Sequence, residues 1–423
     1  MGISFIMKRE PPKFEFAVEP ASPFELPLVS NGTYDFTVDW GDGSEPDDIN
    51  TWDDSAKNHN YAGSGPYTIT ITGQIEGWQF DNNVYAPAMR TVSKWGPLKL
   101  GNNGSYFYGC DAMTVTATDV LDTSGITNMA NAFRNCVSMV TVPSMNSWDM
   151  SSVTDMSYML GGYLVHHQYF NQDISNWDTS NVTNMQEMFF NARDFNQNIG
   201  GWNVEKVESI YRMFWYCYAF NQPIGAWTTS ALTTVASAFQ GSGFNQPLDN
   251  WDMSNVEDTT SMFNSALAFN QDLNSWDVSN VTIMASMFSG CDEFDGNITG
   301  WDVSNVTEFR SMFYGTLAFN QPIGTWTTTS VENLRSMFEN SVFDQDISGW
   351  DVTNVDDCLY MFDGGVLSTA NYDALLIGWE GQSVLNGVNA DFGSTQYSAG
   401  AAATARSALV NSHSWNIDDG GQA

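Results

Sequence analysis

The sequence predicts a mostly β chain. It has a β-sandwich over residues 12–78, then a right-handed solenoid of about eleven 24–25-residue coils over 79–366, then a small α-containing cap over 367–423. Three observations predict it. Residues 12–78 alternate apolar and polar side chains in short runs such as "KFEFAVE", "YDFTVDWGDGS" and "GPYTITITG". Tryptophans then recur at Trp148, Trp177, Trp202, Trp227, Trp251, Trp276, Trp301, Trp326 and Trp350; after a first step of 29, every interval is 24 or 25. From Leu367 the beat stops, and "YDALLIGW" and "AAATARSALV" show the apolar spacing and alanines of short helices.

The totals bound what such a chain does. At 423 residues with 42% hydrophobic content, it exceeds one ordinary domain and holds enough apolar material for a core. Its 14 Lys+Arg against 49 Asp+Glu give a net charge of −35, a field that repels phosphate backbones and excludes nucleic acid as a partner. No apolar run reaches the roughly 18 residues of a spanning helix, so membrane insertion is not expected. Only 15% of residues are charged and 14% are aromatic, unlike a disordered acidic chain. Residues 1–11 read as an N-terminal arm. In "MGISFIMKREPPKFEF" the apolar stretch is shorter than the roughly 7–15 residues of a signal-peptide core, and Lys8 and Arg9 follow it instead of preceding it. Export by the general secretory route is therefore not expected from Met1.

In residues 12–78, the period-two runs are strands and the Gly, Asp, Asn and Pro clusters between them are turns. Trp40-Gly41-Asp42-Gly43-Ser44 is a tight turn, with glycine supplying backbone angles that a side chain forbids. His59, Tyr61, Gly65 and Tyr67 lead into the last strand. WGDGS followed by H-x-Y and G-x-Y resembles the polycystic-kidney-disease (PKD) type sandwich. That resemblance implies an immunoglobulin-like spacer or display module without chemistry of its own.

Four tracks share the repeat beat. Phe195 through Phe343 form one, Ile199 through Ile347 a second, Val182 through Val355 a third and Phe189 through Phe362 a fourth. Weaker earlier copies end in Phe107, Phe133 and Leu160, with 79–106 as the entry. Periods of roughly 20–29 residues mark leucine-rich-repeat-like solenoids. One coil cannot bury its apolar side alone; stacking turns a repeated residue type into a column. F-N-Q-x-I-x-x-W suits a short strand, whereas V-x-x-M-x-x-M-F spaces its apolar residues by three, as in a helical or 3₁₀ turn. Cys110, Cys136, Cys217 and Cys291 each follow a repeat aromatic by three, where other repeats place Ala192 or Thr316. They read as small buried residues, and Cys358 as a substitute for a core methionine, with no disulfide framework. The segment from Leu367 covers the end of the stack.

The repeat "FNQDISNWDTSNVTNMQEMF" resembles those of BspA-like (DUF285) leucine-rich-repeat surface proteins. The end, "LSTANYDALLIGWEGQ" to "GAAATARSALVNSHSWNIDDGG", and the join, "GQIEGWQF" to "GNNGSYFYGCDAM", are similar to the family's corresponding segments. The likeness covers nearly all of the chain after residue 12. It implies a non-enzymatic surface protein used in adhesion or recognition.

Candidate chemistry is sparse. His59, His166, His167 and His413 lack metal-ligand spacing with cysteine and lie in no serine–acid motif. The His166-His167 pair, in the insertion behind the 29-residue step, reads as an exposed loop. Asp252, Asp277 and Asp302 follow consecutive repeat tryptophans and stand as calcium candidates, since an ion between stacked carboxylates reverses their repulsion. The competing reading is that each caps its own turn, helped by Ser254, Ser279 and Ser304. The pairs Asn196-Gln197, Asn221-Gln222, Asn245-Gln246 and Asn270-Gln271 suggest an amide ladder, interrupted by Asp295 and Asp344. Tyr163, Trp215, Tyr216, Tyr218 and Tyr314 stand off the periodic tracks; they mark either a ligand surface or local packing clusters.

These readings converge on surface recognition without catalysis. The expected setting is a tailed-phage virion fibre, appendage or decoration component binding a host receptor or glycan. A bacterial cell-surface adhesin is the alternative, and so is a structural subunit that contacts only other virion or surface proteins or copies of itself.

Overall fold

Alternating burial builds the N-terminal sheet. β1 (Lys13–Val18) buries Phe14, Phe16 and Val18, and β3 (Thr33–Asp39) buries Tyr34, Phe36 and Val38, each at every second position. The other strands here are β2 (Phe24–Glu25), β4 (Asp47–Ile49), β5 (Asn58–His59), β6 (Tyr67–Glu76), β7 (Met89–Lys94), β8 (Leu98–Lys99) and β9 (Thr114–Val115). The computed structural model describes residues 10–20, 23–164, 168–365 and 367–423, and the chain divides into two compact units, Met1–Asn181 and Val182–Ala423.

In the first unit, seven strands form one sheet in the order β4-β3-β6-β1-β7-β9, with β8 added parallel to β6. β2 and β5 pair separately. The expected PKD or immunoglobulin-like sandwich within 12–78 is therefore not formed. The reason is visible in the core. Trp78 lies edge-on to Phe14 and Phe16, at 5.2 and 5.6 Å, and its other neighbours are Phe80 and Phe107. The segment after β6 covers the apolar face that a second sheet would otherwise cover. The signature turn is nonetheless well tied. His59 stacks on Trp40 at 4.7 Å and its Nε2 lies 2.8 Å from Asp42 Oδ2, while Tyr61 donates its hydroxyl to the Trp40 carbonyl. The bond from His59, with those from Ser44, holds the Asp42 carboxyl well below the usual carboxylate range.

In the second unit the right-handed, leucine-rich-repeat-like β solenoid is likewise not what forms. Helix makes up 8% and strand 15% of the structure, in small sheets. Among the described residues, no strand lies between Val182 and Asp356; consecutive repeats meet through single parallel bridges, from Asn184↔Ser209 to Asn333↔Asp357. The backbone donors explain this. Ile210, Arg212, Phe214 and Tyr216 donate to the carbonyls of Thr234, Ala236, Ala238 and Gln240 in the next repeat, at 2.8–3.1 Å. The intervening Met213 and Trp215 instead donate back to Ile210 and Arg212. Alternate N–H groups thus close local turns, so polar groups are satisfied without a continuous ladder. Arg212 (φ 53°) and Tyr216 (φ 57°) are left-handed, as are Ser261 and Ser265, Ser286 and Gly290, and Ser336 and Asn340 at the equivalent positions. Two left-handed residues per repeat stop both a strand and the helical turn that the spacing of three suggests.

Equivalent side chains do meet. From Phe189 through Phe214, Phe239, Phe263, Phe288, Phe313 and Phe338 to Phe362, successive rings stack at 5.2–5.8 Å. A second ring in each repeat lies 3.9–4.5 Å from the first, as Phe269 does from Phe263. Each tryptophan N–H from Trp227 to Trp350 donates to a carbonyl of the repeat before it, Trp276 to Leu248 at 2.8 Å. All five cysteines are free and buried, and burial pushes their thiols up.

The amide ladder runs through the aspartates that seemed to break it. Asn245 Oδ1 accepts from Asn270 N and Gln271 Nε2; Asp295 Oδ1 accepts from Asn320 N and Gln321 Nε2 in the same way, at 3.1 and 2.9 Å. The role needs only an acceptor oxygen, which a carboxylate supplies equally well. Asp295→Asn is therefore expected to leave the melting temperature nearly unchanged. Asp295→Ala, which removes both bonds, is expected to cost about 1–3 kcal/mol in urea unfolding.

From the last repeat onward come β10 (Asp357–Cys358), α1 (Thr369–Glu380), β11 (Asn389–Asp391), α2 (Ala401–Ser412) and β12 (Asn416–Asp418); the three strands form a parallel sheet. α1 and β11 extend the columns. Trp379 Nε1 donates to Ile347, Asn371 Nδ2 donates to Asp344 Oδ1, and Phe392 stacks on Phe362 at 6.1 Å.

Candidate functional site

The candidate site arises where one repeat departs from the five that follow it. Ser237, Ser261, Ser286, Ser311 and Ser336 hold the first left-handed position of their repeats; Arg212 holds it here. Its guanidinium lies 4.2 Å from the Trp215 ring and 4.7 Å from Tyr211, with Glu187 Oε1 at 3.6 Å. Phe190 meets Trp215 edge-on at 4.9 Å, Trp215 lies 5.4 Å from Tyr216, and Tyr216 lies 5.9 Å from Tyr218. Arg193 closes the row, its guanidinium 5.3 Å from the Tyr218 ring. The following repeat makes room for it. A Cβ on Gly241 would come within 2.4 Å of Tyr216, so the tyrosine rests where only glycine fits.

Trp215, Tyr216 and Tyr218 are thus brought together, with Tyr218 52% exposed. Tyr314 is not part of the group. It occupies Trp215's position four repeats further on, roughly 20 Å away at the spacing of bridged chains. Tyr163 lies in the first unit, where Arg134 sits over the rings of Tyr108, Tyr158 and Tyr163 at 5.5, 4.4 and 5.4 Å. The Tyr108 and Tyr163 hydroxyls are hydrogen-bonded, and the Tyr108 phenol is pushed up to about 12, chiefly by burial. Sequence reasoning missed Arg193 and Arg212. The one available signal was for Arg212, an arginine at a position that the five following repeats fill with serine.

The calcium candidates are placed as turn caps. Asp252 Oδ1 accepts from Ser254 N and Oγ at 3.0 and 2.6 Å, Asp277 Oδ1 from Ser279 N and Oγ at 3.1 and 2.6 Å, and Asp302 Oδ1 from Ser304 N at 3.1 Å. Among the described residues, no three His, Cys, Asp or Glu side chains converge as metal ligands. The bonds from Ser279 hold the Asp277 carboxyl below its usual range, as those from Ser151 and Ser180 do for Asp149 and Asp178. A depressed folded-state value adds stability above the unfolded value of about 4 and loses it as pH falls through the folded one. Chelator is expected to leave the melting temperature unchanged, and acidification below about pH 4 to lower it; calcium-dependent melting would contradict the capping role. His166 and His167 lie outside the described residues.

The family model described as "Mycoplasma protein of unknown function, DUF285" matches residues 101–217, 127–243, 196–299 and 284–396. These windows overlap and span most of the chain. The chain belongs to the DUF285 family. No curated protein and no solved structure matches it. The DUF285 windows take in the Arg193–Tyr218 group and Tyr314, and leave residues 12–78 outside. Among the described residues, no helix of this DUF285 chain is long and apolar enough to cross a membrane.

Proposed function

We propose that this DUF285 chain is a non-enzymatic, BspA-like surface recognition protein, whose contact area is the Trp215–Tyr216–Tyr218 row on the flank of the stacked repeats. The ligand is a receptor or glycan on an opposing cell surface. One observation carries the reading: Trp215, Tyr216 and Tyr218 form a connected row of aromatic rings edged by Arg193 and Arg212, where the next repeat places Gln240, Gly241 and Gly243. Trp, Tyr and Arg dominate binding hot spots, and aromatic faces take sugar rings. Packing alone explains the row poorly. Trp215 Nε1 and Arg212 Nε are buried without a hydrogen-bond partner, at a cost of about 1–3 kcal/mol for each such group. The proposal assigns no catalytic step and no cofactor. The expected virion setting gains no support from the family match.

Replacing Trp215→Gln and Tyr216→Asn together tests it. Gln240 and Asn191 already occupy these positions in neighbouring repeats, and Asn191 is itself left-handed (φ 55°), so the fold tolerates the change. The double variant is expected to bind intact cells at least about tenfold more weakly with its melting temperature nearly unchanged. Undiminished cell binding would remove the row from the contact area.

A further inference from the structure

Arginine pairing singles out one residue of the second unit. The second unit contains five arginines, and four have a carboxylate within 4.0 Å: Arg212 with Glu187, Arg310 with Glu308, Arg335 with Asp357 and Arg406 with Asp419. Arg193 has none among the described residues, although Asp194 follows it directly and 49 acidic residues are spread along the chain. Its Nε donates to Asn191 Oδ1 at 3.1 Å, which fixes the guanidinium over Tyr218. Asn191 is left-handed and buried, so this anchor is set by the backbone. With Nε engaged, the two Nη groups are left without a partner among the described residues. They form a planar fork whose spacing matches the two oxygens of a carboxylate.

We propose that Arg193 and Tyr218 recognise the carboxylate-bearing ring of an acidic saccharide. This deepens the recognition function proposed above and rests on it. The Nη fork takes the carboxylate, and the exposed ring of Tyr218, with the half-buried Tyr216 beside it, takes the apolar face of the sugar. A net charge of −35 repels anions at long range, but screening limits that field to about 8 Å at physiological salt. The local fork therefore decides the outcome. A saccharide fits better than an acidic peptide because the row offers adjoining aromatic rings, tilted by 32° and 38° from one to the next, and aromatic faces stack on sugar rings. The charge-assisted pair makes a carboxylate a selectivity element: the neutral analogue stacks equally well and leaves the fork unpaired.

Ligand-observed NMR titration of the full chain with cellobiuronic acid and with cellobiose, which differ by one carboxylate, tests this. The acidic disaccharide is expected to bind about tenfold or more tightly than the neutral one. Arg193→Gln is expected to erase that difference. Arg193→Lys should restore only part of it, because an ammonium lacks the fork. Equal binding of the two sugars, discrimination that survives Arg193→Gln, binding of neither sugar, or preference for an acetylated Asp-Glu peptide over cellobiuronic acid would each overturn the assignment. If the Trp215→Gln/Tyr216→Asn variant loses cell binding while the two sugars bind equally, only the acidic-sugar assignment fails. If that variant binds cells normally, the recognition surface fails with it.

Discussion

Phe263→Ala is expected to destabilise the second unit by about 3–5 kcal/mol, the range for losing a fully buried aromatic side chain. Phe263 is 0% exposed and has close ring neighbours on three sides: Phe269 at 3.9 Å in its own repeat, Phe239 at 5.5 Å in the repeat before and Phe288 at 5.7 Å in the one after. Its backbone N–H is held by Met287 of the next repeat, so the cavity cannot close by moving the chain. Ring stacking adds to the lost area. Equilibrium urea unfolding of the full chain checks the value. Leu267→Ala, on a side chain 57% exposed, serves as control and should stay within about 0.5 kcal/mol of the parent. Because stacked repeats couple to nearest neighbours, Phe263→Ala and Phe288→Ala together should depart from additivity by about 0.5–3 kcal/mol. A loss below about 1 kcal/mol for Phe263→Ala would mean that the ring column does not hold the unit together.

The columns were legible because stacking demands the same residue type at the same place, and Phe214 to Phe362 records that demand directly. The backbone path was not legible. Serine at Ser261 or Ser336 does not announce a left-handed residue as Gly290 does, so a spacing of three read as a helical turn. Asp295 and Asp344 read as breaks because the ladder was framed around amides, whereas the structure uses only an acceptor oxygen at that position. In the first unit the strands followed from alternation, but nothing in the pattern of Trp78 and Phe80 showed that they would cover the sheet face. The columns' last members, Trp379 and Phe392, were hidden because helix α1 and the loop after it change the interval. At the candidate site, Trp215, Tyr216 and Tyr218 stood out as aromatics off the tracks. Their arginines did not, because Arg193 lies 25 residues before Tyr218 and only repeat stacking brings the two together. Tyr314 shows the limit of residue type as a guide: it shares Trp215's position but meets no other aromatic ring among the described residues.

The C-terminal segment depends on one buried carboxylate, and Asp419→Ala is expected to cost about 3–5 kcal/mol there. The Asp419 side chain is 1% exposed, and three groups converge on it. Arg406 of α2 donates through Nε to Oδ2 at 2.6 Å and through Nη2 to Oδ1 at 3.1 Å, Tyr372 of α1 donates its hydroxyl to Oδ2 at 2.7 Å, and Gly421 N reaches Oδ1 at 3.1 Å. Alanine at 419 leaves a largely buried guanidinium without its counter-charge and a buried phenol without its acceptor, and neither can turn to water without undocking a helix. Asp419→Asn keeps the shape and one acceptor but loses the charge, so its effect should fall between alanine and the parent. Asp418→Ala, one residue away on an exposed side chain, controls for local chain effects and should be near neutral. Burial and then the Asp419 contact raise the Tyr372 phenol above its ordinary value of about 10. A raised folded-state value means the contribution is fully present below pH 10 or so and drains away as pH rises further, because only the unfolded chain then gives up its proton readily. Thermal melts of the parent should therefore weaken in base, and Asp419→Ala should melt early at neutral pH with a shallower alkaline decline. An Asp419→Ala melt no earlier than that of Asp418→Ala would show that the carboxylate does not join the two helices.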